Sequence, residues 1–212
     1  MARILKVCLA VMLLAFTAAS TGCALGVTKI PVGHNDLTPV AAKRTGTIYV
    51  QTFVDNRPAD NQEHQYIGYK RNGYGMTIGR IGALDDRPVN VTVTNLFVDA
   101  LKHTGYNVVS DTPGATTQPR NTVAISGAID DFWIDMYMQV WFKMKVHIKL
   151  VDKAGQTVWE KDMAGGANNV LWWGAPGEFQ GTMDQGVTDV LNIAVKEFSS
   201  QEFCQKVADA NK

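Results

Sequence analysis

Val140-Trp141-Phe142-Lys143-Met144-Lys145-Val146-His147-Ile148-Lys149-Leu150-Val151 is the stretch whose reading decides the fold. Apolar side chains hold every even position from Val140 to Leu150, while Trp141, Lys143, Lys145, His147 and Lys149 hold the odd ones. A period of two belongs to a strand, so this segment predicts a long strand with one face in a core and the other in water. Asp152-Lys153-Ala154-Gly155 predicts a turn back into a strand over Gln156 to Met163, with Gly155 supplying a positive φ. A four-residue loop makes facing positions sum to 307, which sets Lys145 against Asp162 and His147 against Glu160 and neutralises the basic stripe.

Working outward, Thr122 to Ile134 predicts another strand with Val123, Ile125 and Ile129 on one face and Gly127 at a bulge or close approach. Asp130, Asp131 and Asp135 form the acidic cluster; adjacent strand residues point to opposite faces, so Asp130 and Asp131 are expected apart, as a solvated strand end. Pro88 opens a helix in which Val89, Val93, Leu96, Phe97, Ala100 and Leu101 recur at helical spacing, with Gly105 as its stop. A strand at Thr47 to Val54 before it and one at Tyr106 to Val109 after it suggest a crossover that places the two parallel. The Gly-, Tyr- and Arg-rich stretch from Asn56 to Arg87 holds a further strand near Met76 to Ile81, and Asp111 to Asn121 reads as a loop. Phe179, Met183, Val187, Val190, Leu191, Ala194, Val195 and Phe198 form the stripe of a second long helix, and Ser199 or Ser200 caps a short last one. The expected fold is α+β: a two-layer sandwich whose mixed, mostly antiparallel sheet carries two main helices on one face.

At the other end of the chain, Arg3 and Lys6 precede an apolar run from Val7 to Ala19, too short for a span of about 20 residues but of the right length for a secretory signal. Ser20-Thr21-Gly22-Cys23 follows and resembles the lipobox of bacterial lipoproteins, with Ser20 where Leu is most common. The resemblance implies removal of residues 1–22, acylation of Cys23 with palmitate-type chains, and, from Ala24 in place of a retention Asp, sorting to the outer membrane. Residues 23–45, with Pro31, Gly33 and Pro39, read as a lipidated tether, and 46–212 as a single domain. Cleavage leaves 18 Lys+Arg against 20 Asp+Glu, a balance that argues against nucleic acid as a partner. Cys204 is then the only cysteine in the domain, so no internal disulfide forms and the core must hold the fold.

The lipobox, the helix end Leu101-Lys102-His103-Thr104-Gly105-Tyr106, the strands around Val123-Ala124-Ile125 and Lys145-Val146-His147-Ile148, and Asp189-Val190-Leu191-Asn192 together resemble the YajG-like bacterial lipoproteins. That resemblance implies an envelope lipoprotein without a defined chemistry. Gln62 to Gly82 has no counterpart in the pattern.

Motifs for chemistry are sparse. Gly73-Tyr74-Gly75-Met76-Thr77-Ile78-Gly79 lacks the strand and helix that a phosphate loop needs and reads as a glycine-rich turn or hairpin. His34, His64, His103 and His147 are scattered, no Ser sits in a GxSxG elbow, and Cys204 has no basic neighbour, so no catalytic residue, cofactor or metal site is nominated. Trp172 and Trp173 stand out, because two adjacent indoles in the connection Gly165 to Gly177 exceed what one loop can bury. The favoured reading is that one caps the core beneath the helix, and the alternative is a contact of the pair with a protein partner or lipid headgroups. The expected role is non-enzymatic: a binding or assembly component facing the periplasm, membrane-bound through its lipid anchor, with an envelope protein as its partner. The rival is a small-ligand carrier with an apolar pocket lined by Met144, Trp159 and Phe179.

Overall fold

The computed structural model describes residues 26–63, 65–110, 122–170 and 176–212. Its organising element is β7 (Ala124–Tyr137), which pairs antiparallel along its whole length with β8 (Gln139–Val151), the alternating stretch; β8 in turn pairs with β9 (Thr157–Val170). Along its other edge β7 meets three short strands end to end, all parallel: β2 (Thr47–Val50), β3 (Val54–Asp55) and β4 (Tyr66–Arg71). A short helix, α1 (Ala59–Glu63), lies between β3 and β4 in the chain, and from β7's short partners the sheet forks. One branch continues from β2 to the parallel β6 (Asn107–Ser110); the other runs from β4 to antiparallel β5 (Thr77–Ala83) and then to parallel β1 (Gly26–Ile30). Thr47 to Val54, expected as one strand, is therefore interrupted between β2 and β3.

The α+β class, the mixed sheet with its long antiparallel ladders and the parallel crossover through α2 (Val89–Thr104) are as expected, but the sheet is not one flat layer of a two-layer sandwich. Among the described pairings five are parallel and three antiparallel, and the sheet curls into a half-barrel. Antiparallel neighbours can be joined by tight turns, whereas the short strands reach β7 through longer excursions and so arrive parallel to it. The curl has a local contributor in β7 itself: pairing with β8 shifts between Ile129 and Asp131, leaving Asp130 as the extra residue of a β-bulge. The bulge also flips the alternation, so that Ile125 and Ile129 face the core before it and Phe132, Ile134 and Met136 after it.

All six even residues from Val140 to Leu150 are buried, which bears out the two-faced reading of β8. They meet α3 (Pro176–Phe198), which packs on β8 and β9, while α2 lies against β3, β6 and β7 and touches α3. Gly105 caps α2 in a left-handed conformation, φ 105°. The first amide of α2 is satisfied from a distance, because Val89 N donates to Gln65 Oε1 at 2.9 Å where Pro88 offers no side-chain cap. Gly127 is the close approach foreseen: a Cβ there would lie 2.9 Å from the Phe53 ring, which packs on Phe97 of α2 at 5.4 Å. Ser200 caps α4 (Gln201–Ala210) by accepting from Phe203 N at 3.1 Å, and Trp159, Phe198, Phe203 and Tyr106 join in edge and tilted contacts. Burial, then the hydrogen bond to Cys204, pushes the Tyr106 phenol well above its ordinary value.

Two segments depart from expectation. Residues 26–45, read as tether, are packed on the domain: β1 extends the sheet, Ile30 and Leu37 are buried, and Asn35 N and Thr38 N donate to Thr188 Oγ1 and Asn192 Oδ1 of α3, both at 2.8 Å. Arg44 N donates to Thr104 O at 2.8 Å, and its guanidinium reaches Ser199 O. Gly165 to Asn169, read as a glycine-bounded connection, continues β9 in unbroken register with β8 as far as Val170. The glycines are packing residues there, for a Cβ at Gly166 would sit 2.1 Å from Phe142 O.

Candidate functional site

The face of β7, β8 and β9 turned away from α2 and α3 carries the polar side chains of the three long strands. The hairpin register is displaced two residues from expectation, so that His147 opposes Asp162 and Lys149 opposes Glu160, while Lys145 faces Ala164. A two-residue shift keeps every side chain on its own face, which is why the core survives the misreading. His147 Nδ1 lies 2.6 Å from Asp162 Oδ1 and Nε2 lies 3.4 Å from Glu160 Oε2. Lys145 finds its partner on β7 instead, in Asp130 at 3.1 Å, and Lys143 pairs with Asp131 at 3.0 Å. Asp130 and Asp131 thus share a face, contrary to simple alternation, because at the bulge two consecutive residues of β7 oppose one of β8 and the alternation between them is suspended. The hydrogen bond from His147 holds the Asp162 carboxyl below the usual carboxylate range, and Asp130 raises the Lys145 ammonium. An open groove of about 470 Å³ runs along this ladder between Val54, Asn56, Ser126, Lys149 and Asp162. Ser126 is in the groove with His147, but the imidazole nitrogen that a nucleophilic triad would turn to a serine faces Glu160.

Further along the same face the chemistry changes from charged to aromatic. Asp135, 5% exposed, accepts a bidentate pair from Arg71 of β4, with Nε to Oδ1 and Nη2 to Oδ2 both at 2.9 Å, and its Oδ1 also accepts from Met136 N. Asp135 is therefore not part of a solvated strand end; its partner comes from the stretch Gln62 to Gly82, whose spatial neighbours sequence spacing could not supply. The hydrogen bond with Asp135 raises the Arg71 guanidinium further. Tyr69 stands edge-on to Trp133 with centroids 4.6 Å apart, and Arg80 lies 4.3 Å over the Tyr69 ring. A second buried pair, Arg57 with Asp55 at 2.8 Å, also donates to Tyr66 O and fastens the start of this insertion to β3 and β4.

The strands deliver several large apolar side chains to one end of the sheet. The Gly73–Gly79 motif is the β4–β5 hairpin: Asn72 Oδ1 accepts from Tyr74 N and Met76 N at 3.0 Å, and Gly75 has φ 81°. Tyr74 and Met76 are exposed at its tip. Tyr137 and Met138 form the adjoining β7–β8 turn, and Val170 pairs with Gln139 beside it. Trp172, Trp173, Cys23 and His64 lie outside the described residues. His103 contacts Thr38 O at 2.9 Å. Met144, Trp159 and Phe179, nominated as pocket lining, are all buried within the continuous core. No group of three His, Cys, Asp or Glu among the described residues is placed to hold a metal, and no described helix is long and apolar enough to cross a membrane.

No family model and no curated protein matches this chain. Among solved structures it is similar to protein XCC0632 from Xanthomonas campestris, of the family DUF330, with a TM-score of 0.51 at 10% identity, covering 88% of this chain and 98% of that one. Bacterial lipoproteins are also among the structural neighbours: GNA1162 from Neisseria meningitidis has a TM-score of 0.36 at 11% identity over 62% of this chain and 88% of its own. A PelC dodecamer from Paraburkholderia phytofirmans has a TM-score of 0.38 at 13% identity, covering 76% of this chain and 91% of that one. At such identities the likeness to the first is one of fold.

Proposed function

We propose that this chain is a lipid-anchored component of the bacterial envelope, of the YajG-like kind, held in the periplasmic leaflet of the outer membrane and acting there in binding or assembly rather than catalysis. The observation that carries the reading is Ser20-Thr21-Gly22-Cys23 directly after a signal-length apolar run. Support comes from the position of β1. Gly26, three residues after Cys23, already starts an edge strand, so cleavage before Cys23 would leave the domain intact and put the acylated residue at its border. The multiple acyl chains of such a protein anchor stably where one would bind only marginally. The packed state of Met144, Trp159 and Phe179 argues against the ligand-carrier alternative. Trp172 and Trp173 are the proposed contact residues for an envelope protein partner.

The test is metabolic labelling with palmitate. The wild-type chain should take up label and fractionate with outer membranes, and Cys23→Ala should do neither. Label retained in Cys23→Ala would overturn the reading.

A further inference from the structure

We propose that the end of the sheet bearing the β4–β5 hairpin tip and the β7–β8 turn is the membrane-seated surface of this protein, in contact with the lipid headgroup and upper acyl region of the leaflet that holds Cys23. The proposal rests on the lipid-anchor reading above and adds an orientation to it.

The first argument is the length of the leash. Residues 26–45 are docked on the domain, so between Cys23 and the first strand only residues 24 and 25 intervene. Three residue steps reach at most about 10–11 Å. β1 runs parallel to β5 with Gly26 opposite Gly79. Met76 precedes Gly79 by the same three residues, and the hairpin tip lies just before it. An acyl group on Cys23 can therefore enter a bilayer only if the hairpin end of the sheet comes to within about 10 Å of its surface.

The second argument is what that end presents. β4 ends beside Met136, so the neighbouring turn, the start of β8 and the end of β9 all lie at the same end. Tyr74 is 89% exposed there, Met138 70% and Met76 60%, with Tyr137, Trp141 and Val170 beside them. Monomeric soluble proteins rarely gather so many large apolar groups at one site, and Tyr and Trp favour the headgroup level. Met138 also holds a left-handed backbone, φ 57°, where Gly or Asn would cost less, so the turn carries a thioether outward at the expense of strain. The opposite end, the turn at Asp152–Gln156, lies a 13-residue strand away and presents Asp152 and Lys153.

The test places an environment-sensitive fluorophore at either end of the full-length chain after export and processing. In a Cys204→Ser background, Met138→Cys or Lys153→Cys is labelled and the protein reconstituted into phosphatidylethanolamine–phosphatidylglycerol vesicles. Emission from position 138 should rise at least two-fold on reconstitution and be quenched by headgroup-proximal spin-labelled lipid, while position 153 should do neither. Tyr74→Cys provides a second reporter should the β7–β8 turn be disturbed. Equal responses at 138 and 153 in an acylated chain overturn the seating and leave the anchor standing. Label taken up by the Cys204→Ser chain with no added cysteine shows either a free Cys23 or a retained signal bearing Cys8, and overturns the anchor and the seating together. A rise at 138 without lipid that grows with protein concentration would assign the patch to a second copy of the chain and also overturn it.

Discussion

Gly68 is the position at which the smallest chemical change should do the most specific damage. A Cβ built there would lie 2.0 Å from Ile134 O and 2.5 Å from Ile134 Cγ2, whereas ordinary contact begins at 3.4 Å. The obstructing atom is a backbone oxygen of the central strand, so β4 must withdraw by more than an ångström. Three parallel pairs hold β4 to β7, Gly68–Ile134, Tyr69–Asp135 and Lys70–Met136, and the Arg71–Asp135 pair depends on the same register. Losing two or three ladder bonds at about 0.5–1.5 kcal/mol each, and loosening a charged hydrogen-bonded pair worth ~1.5–3 kcal/mol, gives roughly 2.5–7.5 kcal/mol for Gly68→Ala. For a domain of this size that is a fall of roughly 5–30 °C in Tm. The loss should be local, and hydrogen exchange is the assay that distinguishes it: amides of β1, β4 and β5 should lose protection while those of α3 and β8 keep theirs. A Tm within 2 °C of wild type, or protection lost evenly over the molecule, would refute the account of how the hairpin branch is held.

Other expectations follow from the two faces of the long strands. Ile148→Asp buries an unpaired charge and should cost several kcal/mol, whereas Lys149→Ala should stay within about 0.5 kcal/mol; thermal melts of the two side by side check this. Asp162, held low by His147, contributes stability that is present above the ordinary carboxylate pKa and lost as pH falls through its depressed one, so Asp162→Asn should flatten the acid limb of the Tm–pH curve below about pH 4. Asp184 carries the opposite sign. Burial raises its pKa, which makes its ionisation a cost that grows as pH rises from the ordinary carboxylate pKa through the raised one, and Asp184→Asn should melt no lower than wild type at pH 7. At least one of Trp172→Ala and Trp173→Ala should leave Tm nearly unchanged while weakening envelope association by ~2 kcal/mol in a binding assay, and large destabilisation by both single variants would remove them as contact residues.

Legibility of the fold in the sequence followed the distance over which each feature is decided. The two faces of β8, the close approach at Gly127, the Gly105 stop and the Ser200 cap are set by neighbours within a few residues, and each reads directly from residue type and period. The hairpin register depends on how the Asp152–Gln156 turn closes, through Asp152 N to Gln156 O, and on the shift beyond Leu150. Neither is visible in the count of loop residues, yet parity protected the core assignment. The bulge at Asp130 has no residue signature of its own, and it reverses the expectation for Asp130 and Asp131.

The hairpin end of the sheet could not be assembled from sequence for a different reason. Gly26, Tyr74, Met138 and Val170 are far apart in the chain and unremarkable one at a time; they meet because β1 joins β5 in parallel, β4 joins β7 in parallel, and β9 runs antiparallel to β8 to its last residue. Two of those pairings override a local signal: Pro and Gly point to a tether for β1 and the segment after it, and glycines to a loop for the end of β9. In both cases the small residues permit close packing on the sheet, and the consequence is geometric. A tether of twenty-odd residues would let the domain turn freely over a membrane, whereas three residue steps from Cys23 to a paired strand leave the hairpin end as the face that an anchored chain brings to the lipid.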